Sequence, residues 1–211
     1  MYPKLTVIAL DPADSLIRTW IEHSLPSSPS KVVEIGGRYG FASIPLVSEY
    51  PKLSFEVRCD SQDFLRRGEA LVQPQYSDRI VFSHVASLFD PTPPADVNGV
   101  KVYVIRNLFW NWTDDNVVKL LRTLLPTLRA NTLSTRILVT DGVSPLANEF
   151  PPHVEIAYRR RDITTMTMHN AKQRSQAEWL DMFVRVDPAL KVCALSSLLC
   201  VMTTTDAVGI G

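Results

Sequence analysis

The sequence predicts an α/β fold, a mostly parallel seven-stranded sheet with helices on both faces and a C-terminal antiparallel hairpin. Three observations lead there. Short apolar runs alternate with stretches of helical period, the pattern of a sheet crossed by helices. The run Lys31-Val-Val-Glu-Ile-Gly36 ends in glycines, as a buried parallel strand does when it enters a tight turn. Two further apolar runs within residues 190–204, separated near Ser196 and Ser197, form the closing hairpin.

Taken in order, residues 16–25 read as a short helix and residues 26–30 as a Pro- and Ser-containing linker. Strands follow at 31–36, 54–58, 79–82, 100–105 and 136–140. A helix is expected over 41–50, with Pro45 tolerated near its first turn. A second spans 62–72 behind Ser61 as cap. The third, over 114–129, carries Val117, Val118, Leu120, Leu121, Leu124, Leu125 and Leu128 as an apolar stripe, capped by Thr113 or Asp114. Residues 145–152 read as a Pro-rich loop, and 175–184 as a helix with Glu178 and Trp179 near its start. Residues 1–30 are thus a helical segment and linker, 31–205 the α/β domain and 206–211 a tail.

Composition excludes several classes of function. The chain has 211 residues, 45% of them hydrophobic and 21% charged, enough for one domain with a large core. Lys plus Arg and Asp plus Glu both total 22, so no net field draws nucleic acid or an anionic membrane. The run Arg159-Arg160-Arg161 is read as a solvated loop or strand end. Cys59, Cys193 and Cys200 lack the spacing of a metal knuckle or a disulfide framework, so reduced thiols and a cytoplasmic location are expected. No apolar run reaches the length of about 18 residues that a membrane span needs. His/Cys/Asp clusters with metal spacing, a Gly-x-Ser-x-Gly elbow and a Gly-Lys-Ser/Thr phosphate loop are absent from the sequence.

Four segments carry a resemblance. They are Val33-Glu-Ile-Gly-Gly37 with Gly40, Val104-Ile-Arg-Asn-Leu-Phe-Trp-Asn-Trp-Thr-Asp-Asp115, Ile137-Leu-Val-Thr-Asp-Gly-Val-Ser-Pro145, and the stretch from Met166 through Asn170-Ala-Lys-Gln-Arg-Ser to Trp179. In this order and spacing the chain resembles the catalytic domain of the fungal-type class I small-molecule O-methyltransferases. The resemblance covers roughly residues 25–204 and implies a Rossmann-like methyltransferase sandwich that binds S-adenosylmethionine. Members of that family usually carry an N-terminal helical domain that dimerises. About 30 residues precede Lys31 here, too few for a domain with its own core. A homodimer or a heteromeric partner is therefore expected to cover the faces such a domain covers.

Against the family pattern, the cofactor contacts are altered. Strand, glycine turn and helix place backbone N–H groups around the cofactor's carboxylate. Glu34, Gly36 and Gly40 match, but Arg38 stands at a glycine where the cofactor approaches the backbone. An Arg there also faces a sulfonium; at about 4 Å and an effective dielectric near 20, like charges cost roughly 4 kcal/mol. Where the family has an acid gripping the ribose, this chain has Cys59, with Asp60 one position later. Where an acid lies near the adenine, it has Ala86, with His84 read as a core-edge residue.

The catalytic positions are altered too. In the family, a His takes the substrate's hydroxyl proton; Trp110 replaces it, and indole N–H is a donor only. A positioned general base contributes about 10²–10⁴-fold in rate. Asp141 keeps the acid that flanks the base, and Gln173 replaces a flanking Glu, while Arg174, Glu178 and Trp179 match as packing residues. Trp110 is read as a plug filling the emptied pocket in preference to a stacking platform, and Trp112 as core. The expectation is a methyltransferase-fold protein of secondary metabolism without ordinary methyl transfer. It is a non-methylating enzyme acting on a hydrophobic, aromatic or polyketide-like ligand, or else a partner or regulatory subunit. Active O-methyl transfer is the third reading. No cofactor is expected, with S-adenosylmethionine retained only if the altered loop still binds it.

Overall fold

A computed structural model describes residues 17, 18, 21, 29–90, 99–130, 135–147, 149–195 and 199–203. Of the helix expected over 16–25, Ile17, Arg18 and Ile21 are described, and all three are helical. The turn at Ser196 and Ser197 and the tail over 206–211 lie outside the described residues.

Five parallel strands form the body of the sheet: β1 (Ser30–Ile35), β2 (Leu53–Cys59), β3 (Ile80–His84), β4 (Val100–Arg106) and β5 (Arg136–Thr140). Two more, β6 (Lys191–Leu195) and β7 (Leu199–Thr203), extend the order to β3-β2-β1-β4-β5-β7-β6, with β7 antiparallel to β5 and to β6. The chain winds outward from β1 through β2 to β3, then returns to place β4 on β1's other side. That reversal leaves a crevice above the carboxyl ends of β1 and β4, where open α/β sheets place their sites.

Both faces of the inner strands β1, β4 and β5 are largely buried, which is why these strands read as nearly continuous apolar runs. Val32, Phe55, Val57, Val102, Val104 and Leu138 pack on one side with α1 (Ser43–Glu49), α2 (Gln62–Glu69), Ile17 and Ile21. Val33, Ile35, Tyr103, Ile105, Ile137 and Val139 pack on the other. There they meet α3 (Asp114–Ala130) and α5 (Gln176–Val186), the latter through Trp179, Met182 and Phe183. The α3 stripe is buried as its period predicts, Val117, Leu120 and Leu121 each at 0% exposure. Thr113 Oγ1 accepts from Asn116 N at 3.5 Å, and Ser175 with Glu178 makes a reciprocal capping box on α5.

Between β5 and α5 runs α4 (Pro152–His169), a helix the sequence reading did not contain. Arg159-Arg160-Arg161 lies within it, not in a loop or at a strand end. Its physical concealment is plain. Among its residues Thr165 alone is fully buried, while Ile156, Ile163, Met166 and Met168 are 50–70% exposed, so no one-sided apolar stripe marks it. Its boundary signals are Pro152 at the first turn and Asn170, left-handed at φ 51°, as its C-terminal cap.

Candidate active-site cleft

The glycine turn after β1 forms one wall of the crevice. Glu34 is 2% exposed and serves α1 in place of a local cap, since Ala42 offers no capping side chain. Its carboxylate accepts from Ala42 N at 3.2 Å, Ser43 N at 3.0 Å and Ser43 Oγ at 2.6 Å, satisfying first-turn N–H groups otherwise left without partners. Burial pushes this carboxyl above its ordinary value, opposed by those hydrogen bonds and by the nearby charge of Arg106. Gly37 is pinned against it: a Cβ there would lie 2.5 Å from the Glu34 carboxyl carbon. Gly36 turns the chain with φ 68°, and Gly40 N donates to Gly37 O at 2.8 Å.

Arg38 departs from this pattern. Its backbone is left-handed, φ 49°, which costs a side-chain-bearing residue roughly 1–2 kcal/mol. Its exposed guanidinium lies over the Phe64 ring of α2, 5.4 Å from the centroid.

The segment from Leu108 to Trp112 forms the other wall, and two buried charges hold it from beneath. Asp141 Oδ2 accepts from Phe109 N at 2.8 Å and Trp110 N at 3.0 Å, while Oδ1 accepts from Gly142 N at 2.7 Å. Arg174, 1% exposed, donates to Phe109 O at 2.8 Å, Trp112 O at 2.6 Å and Asp114 Oδ1 at 2.7 Å. One charge takes the backbone N–H groups of the turn and the other its carbonyls.

Trp110 does not plug the core. It is partly exposed on the rim of the cleft, with its indole N–H donating to Asn107 O at 3.0 Å. Asn107 is left-handed at φ 48°. The His169 ring meets the indole edge-on at 5.2 Å, and the Arg161 guanidinium lies 5.8 Å from its ring centroid. Trp112 is partly buried between Phe89 and Phe109, at 5.2 and 6.1 Å.

The open cleft has a volume of about 760 Å³. Glu34, Gly36 and Arg38, expected at the cofactor, and Trp110, expected among the catalytic positions, line it. Phe41, Arg106, Leu108 and Arg161 line it too, and the sequence reading assigned them no part in the site. Asp141 and Gln173 do not line it. Gln173 is 8% exposed and donates through Nε2 to Thr165 Oγ1 at 2.9 Å, against the expectation that it borders the ligand. Gly40, Cys59, Asp60 and Ala86 do not line it either. Cys59 is buried beneath the loop, where burial raises its thiol above the ordinary value, and Asp60 is exposed beside it. Ala86 and His84 instead border a second cavity of about 600 Å³, lined by Glu56, Arg58 and Ser83 on the sheet face toward α3. Among the described residues no His, Cys, Asp and Glu group is placed to hold a metal ion. None of the described helices is long and apolar enough to cross a membrane.

A parallel sheet with a glycine turn at its reversal point, opening into a ligand-sized cleft, defines the methyltransferase type of α/β sandwich. The chain belongs to the O-methyltransferase domain family, whose model matches residues 15–186. Among its relatives is the O-methyltransferase phnC of Penicillium herquei, 37% identical over 192 residues that cover 88% of this chain and 44% of phnC. The chain spans less than half the length of the curated relatives it matches. Its fold is similar to that of LepI solved in complex with SAM, with a TM-score of 0.68 and 23% identity over 89% of this chain and 46% of LepI. The same values hold for a chain described as a pericyclic reaction enzyme.

Two measurements test this geometry. Burial pushes the Asp141 carboxyl from its ordinary 3.8 up to about 6, against the pull of the Gly142 and Phe109 N–H groups and of Arg161 and Arg174. Between those values the folded chain keeps a proton that the unfolded chain has released, so this contribution to stability is complete below 3.8 and lost as pH rises through about 6. Urea unfolding from about pH 4 to about pH 7 should show the native chain losing stability relative to Asp141→Asn. Parallel profiles refute the assignment. Trp110→Ala should cost well under the about 3–5 kcal/mol that emptying a buried aromatic position costs. A loss within that range would return the indole to the core.

Proposed function

We propose that this O-methyltransferase-family chain no longer performs ordinary methyl transfer. Its cleft instead shapes a non-methylating step, a cyclisation, isomerisation or pericyclic rearrangement of an aromatic or polyketide-like substrate of secondary metabolism. The observation that carries this reading is Trp110. It occupies the place of the family's proton-accepting imidazole, and its N–H is engaged with Asn107 O. Asp141 and Gln173, which the resemblance sets beside the base, face the protein's own groups. Bond reorganisation within a single substrate asks less of such a site, needing shape, apolar surface and a few placed donors. The fold likeness to a pericyclic reaction enzyme is in keeping with that chemistry.

The residues of the cleft do not suit S-adenosylmethionine. Arg38, Arg106 and Arg161 line it, and its acidic lining residue, Glu34, is buried and committed to α1. A sulfonium there meets positive charge, while Glu34 is already committed to the first turn of α1. Cys59, Asp60 and Ala86 stand outside the cleft, leaving the ribose and adenine without their family partners. Calorimetric titration of S-adenosylmethionine and its demethylated product tests this reading. Neither should bind in the low-micromolar range, and Arg38→Gly should improve affinity by removing a charge and relieving the left-handed backbone. Low-micromolar binding by the native chain, or methylation of phenols by Trp110→His, sinks the proposal.

A second reading, a non-catalytic partner or regulatory subunit of a biosynthetic complex, is favoured by one surface. On and beside α4, Leu146, Phe150, Ile156, Ile163, Met166 and Met168 are 39–70% exposed. Apolar side chains exposed in this number, though spread around the helix, are suited to cover by a second copy or by another chain. Light scattering across a wide concentration range should show a dimer or larger assembly. A stable monomer that turns over substrate unaided counts against this second reading.

A further inference from the structure

We infer that Phe41 selects the ligand of the cleft, and that this ligand is an uncharged planar ring system held against the rings of Phe41 and Trp110. This rests on the reading that the cleft shapes a non-methylating step, and it names the residue, the charge and the shape by which the site chooses its substrate.

The first observation is a chain of aromatic contacts that runs from the core to the cleft. Phe64 of α2 is partly buried and packs against the core. Tyr39 meets it edge-on, with ring centroids 5.0 Å apart and planes at 67°, and meets Phe41 in the same manner at 5.2 Å and 69°. Edge-to-face contacts set the angle between rings as well as their distance. The Arg38 guanidinium lies over Phe64 at the inner end of the chain, 5.4 Å from the centroid. α2 approaches so closely that a Cβ at Gly68 would lie 2.8 Å from Tyr39 O, which pins the loop against the helix. Phe41, at the outer end, is 57% exposed and lines the cleft. A ring braced on one side and exposed on the other presents a fixed apolar surface to whatever enters.

The second observation is that Trp110, also partly exposed, lines the same space, with Leu108 beside it. A volume of about 760 Å³ lies within the range of small-molecule sites.

The third concerns charge. Arg106 lies near enough to the Glu34 carboxyl, and Arg161 to that of Asp141, to oppose the rise that burial causes in each. Arg38 is turned onto Phe64. The charged groups about the cleft are thus engaged by the protein's own residues. A charged ligand would give up its water for partners already in use, whereas a neutral ring gives up little and gains two aromatic surfaces.

Calorimetric titration of the full chain with naphthol tests the inference, with two companion probes. Decahydronaphthol keeps the hydroxyl and loses the flat aromatic faces; naphthoate keeps the rings and adds a charge. Naphthol should bind at least about tenfold more tightly than decahydronaphthol and no more weakly than naphthoate. Phe41→Leu should weaken naphthol roughly five- to tenfold, and Phe41→Tyr should retain its affinity. Leu71→Ala, at an exposed apolar side chain that does not line the cleft, should leave binding unchanged, and unfolding curves establish that each variant folds. Equal affinity for naphthol and decahydronaphthol, preference for naphthoate, unchanged affinity in Phe41→Leu, or no naphthol binding overturns the inference while leaving the loss of methyl transfer standing. Low-micromolar S-adenosylmethionine that displaces naphthol overturns both.

Discussion

A backbone turn cannot be buried unless its N–H and carbonyl groups find partners, and this chain meets that demand at its cleft with buried charges. Asp141 takes the N–H groups of Phe109 and Trp110, and Arg174 supplies donors to the carbonyls of Phe109 and Trp112. Truncating either side chain would leave the opposite charge and several main-chain groups buried without answer, so neither can be lost singly. Glu34 does the same for the facing wall, where α1 is too short and its cap position too poor to begin unaided. The cleft is thus the space between two backbone segments, each tethered to the sheet by a carboxylate. This explains how acids that the family resemblance reads as chemical can persist here as structure.

Much of the fold was legible because burial on both faces of a parallel sheet writes itself into the sequence. β5 lies where its apolar run places it, and β2 and β4 extend theirs by one residue at one or both ends. The α3 stripe is equally direct, because one face meets the core and the other meets water. α4 escaped for the opposite reason. Its apolar residues are scattered around the helix and exposed, so the usual sign of which face is inward is absent.

The site was legible only in part, since Gly40, Cys59, Asp60 and Ala86 stand outside the cleft. Trp110, Arg38 and Glu34 line the cleft as the motifs suggest, yet the motifs do not reveal that Asp141 and Gln173 turn inward. Side-chain direction there is set by the hydrogen bonds of a local turn, which sequence spacing does not encode. Arg161 was hidden twice over. It sits in an unrecognised helix and in a run of three Arg, where successive side chains diverge by roughly 100° and only one need reach the cleft. Assigning α4 from Pro152 and Asn170 would have brought it into view.

The crowding at Gly37 bears on how such a chain can change its chemistry over time. A side chain at 37 would strike Glu34 and dislodge the start of α1, whereas the next residue points into solvent and accepts even an Arg for a modest backbone penalty. Tolerance for mutation is therefore uneven within five residues of one loop, and it is greatest where a new side chain overlooks the ligand space. A domain built this way can exchange one chemical partner for another by drift at a single permissive position, with its foundations undisturbed.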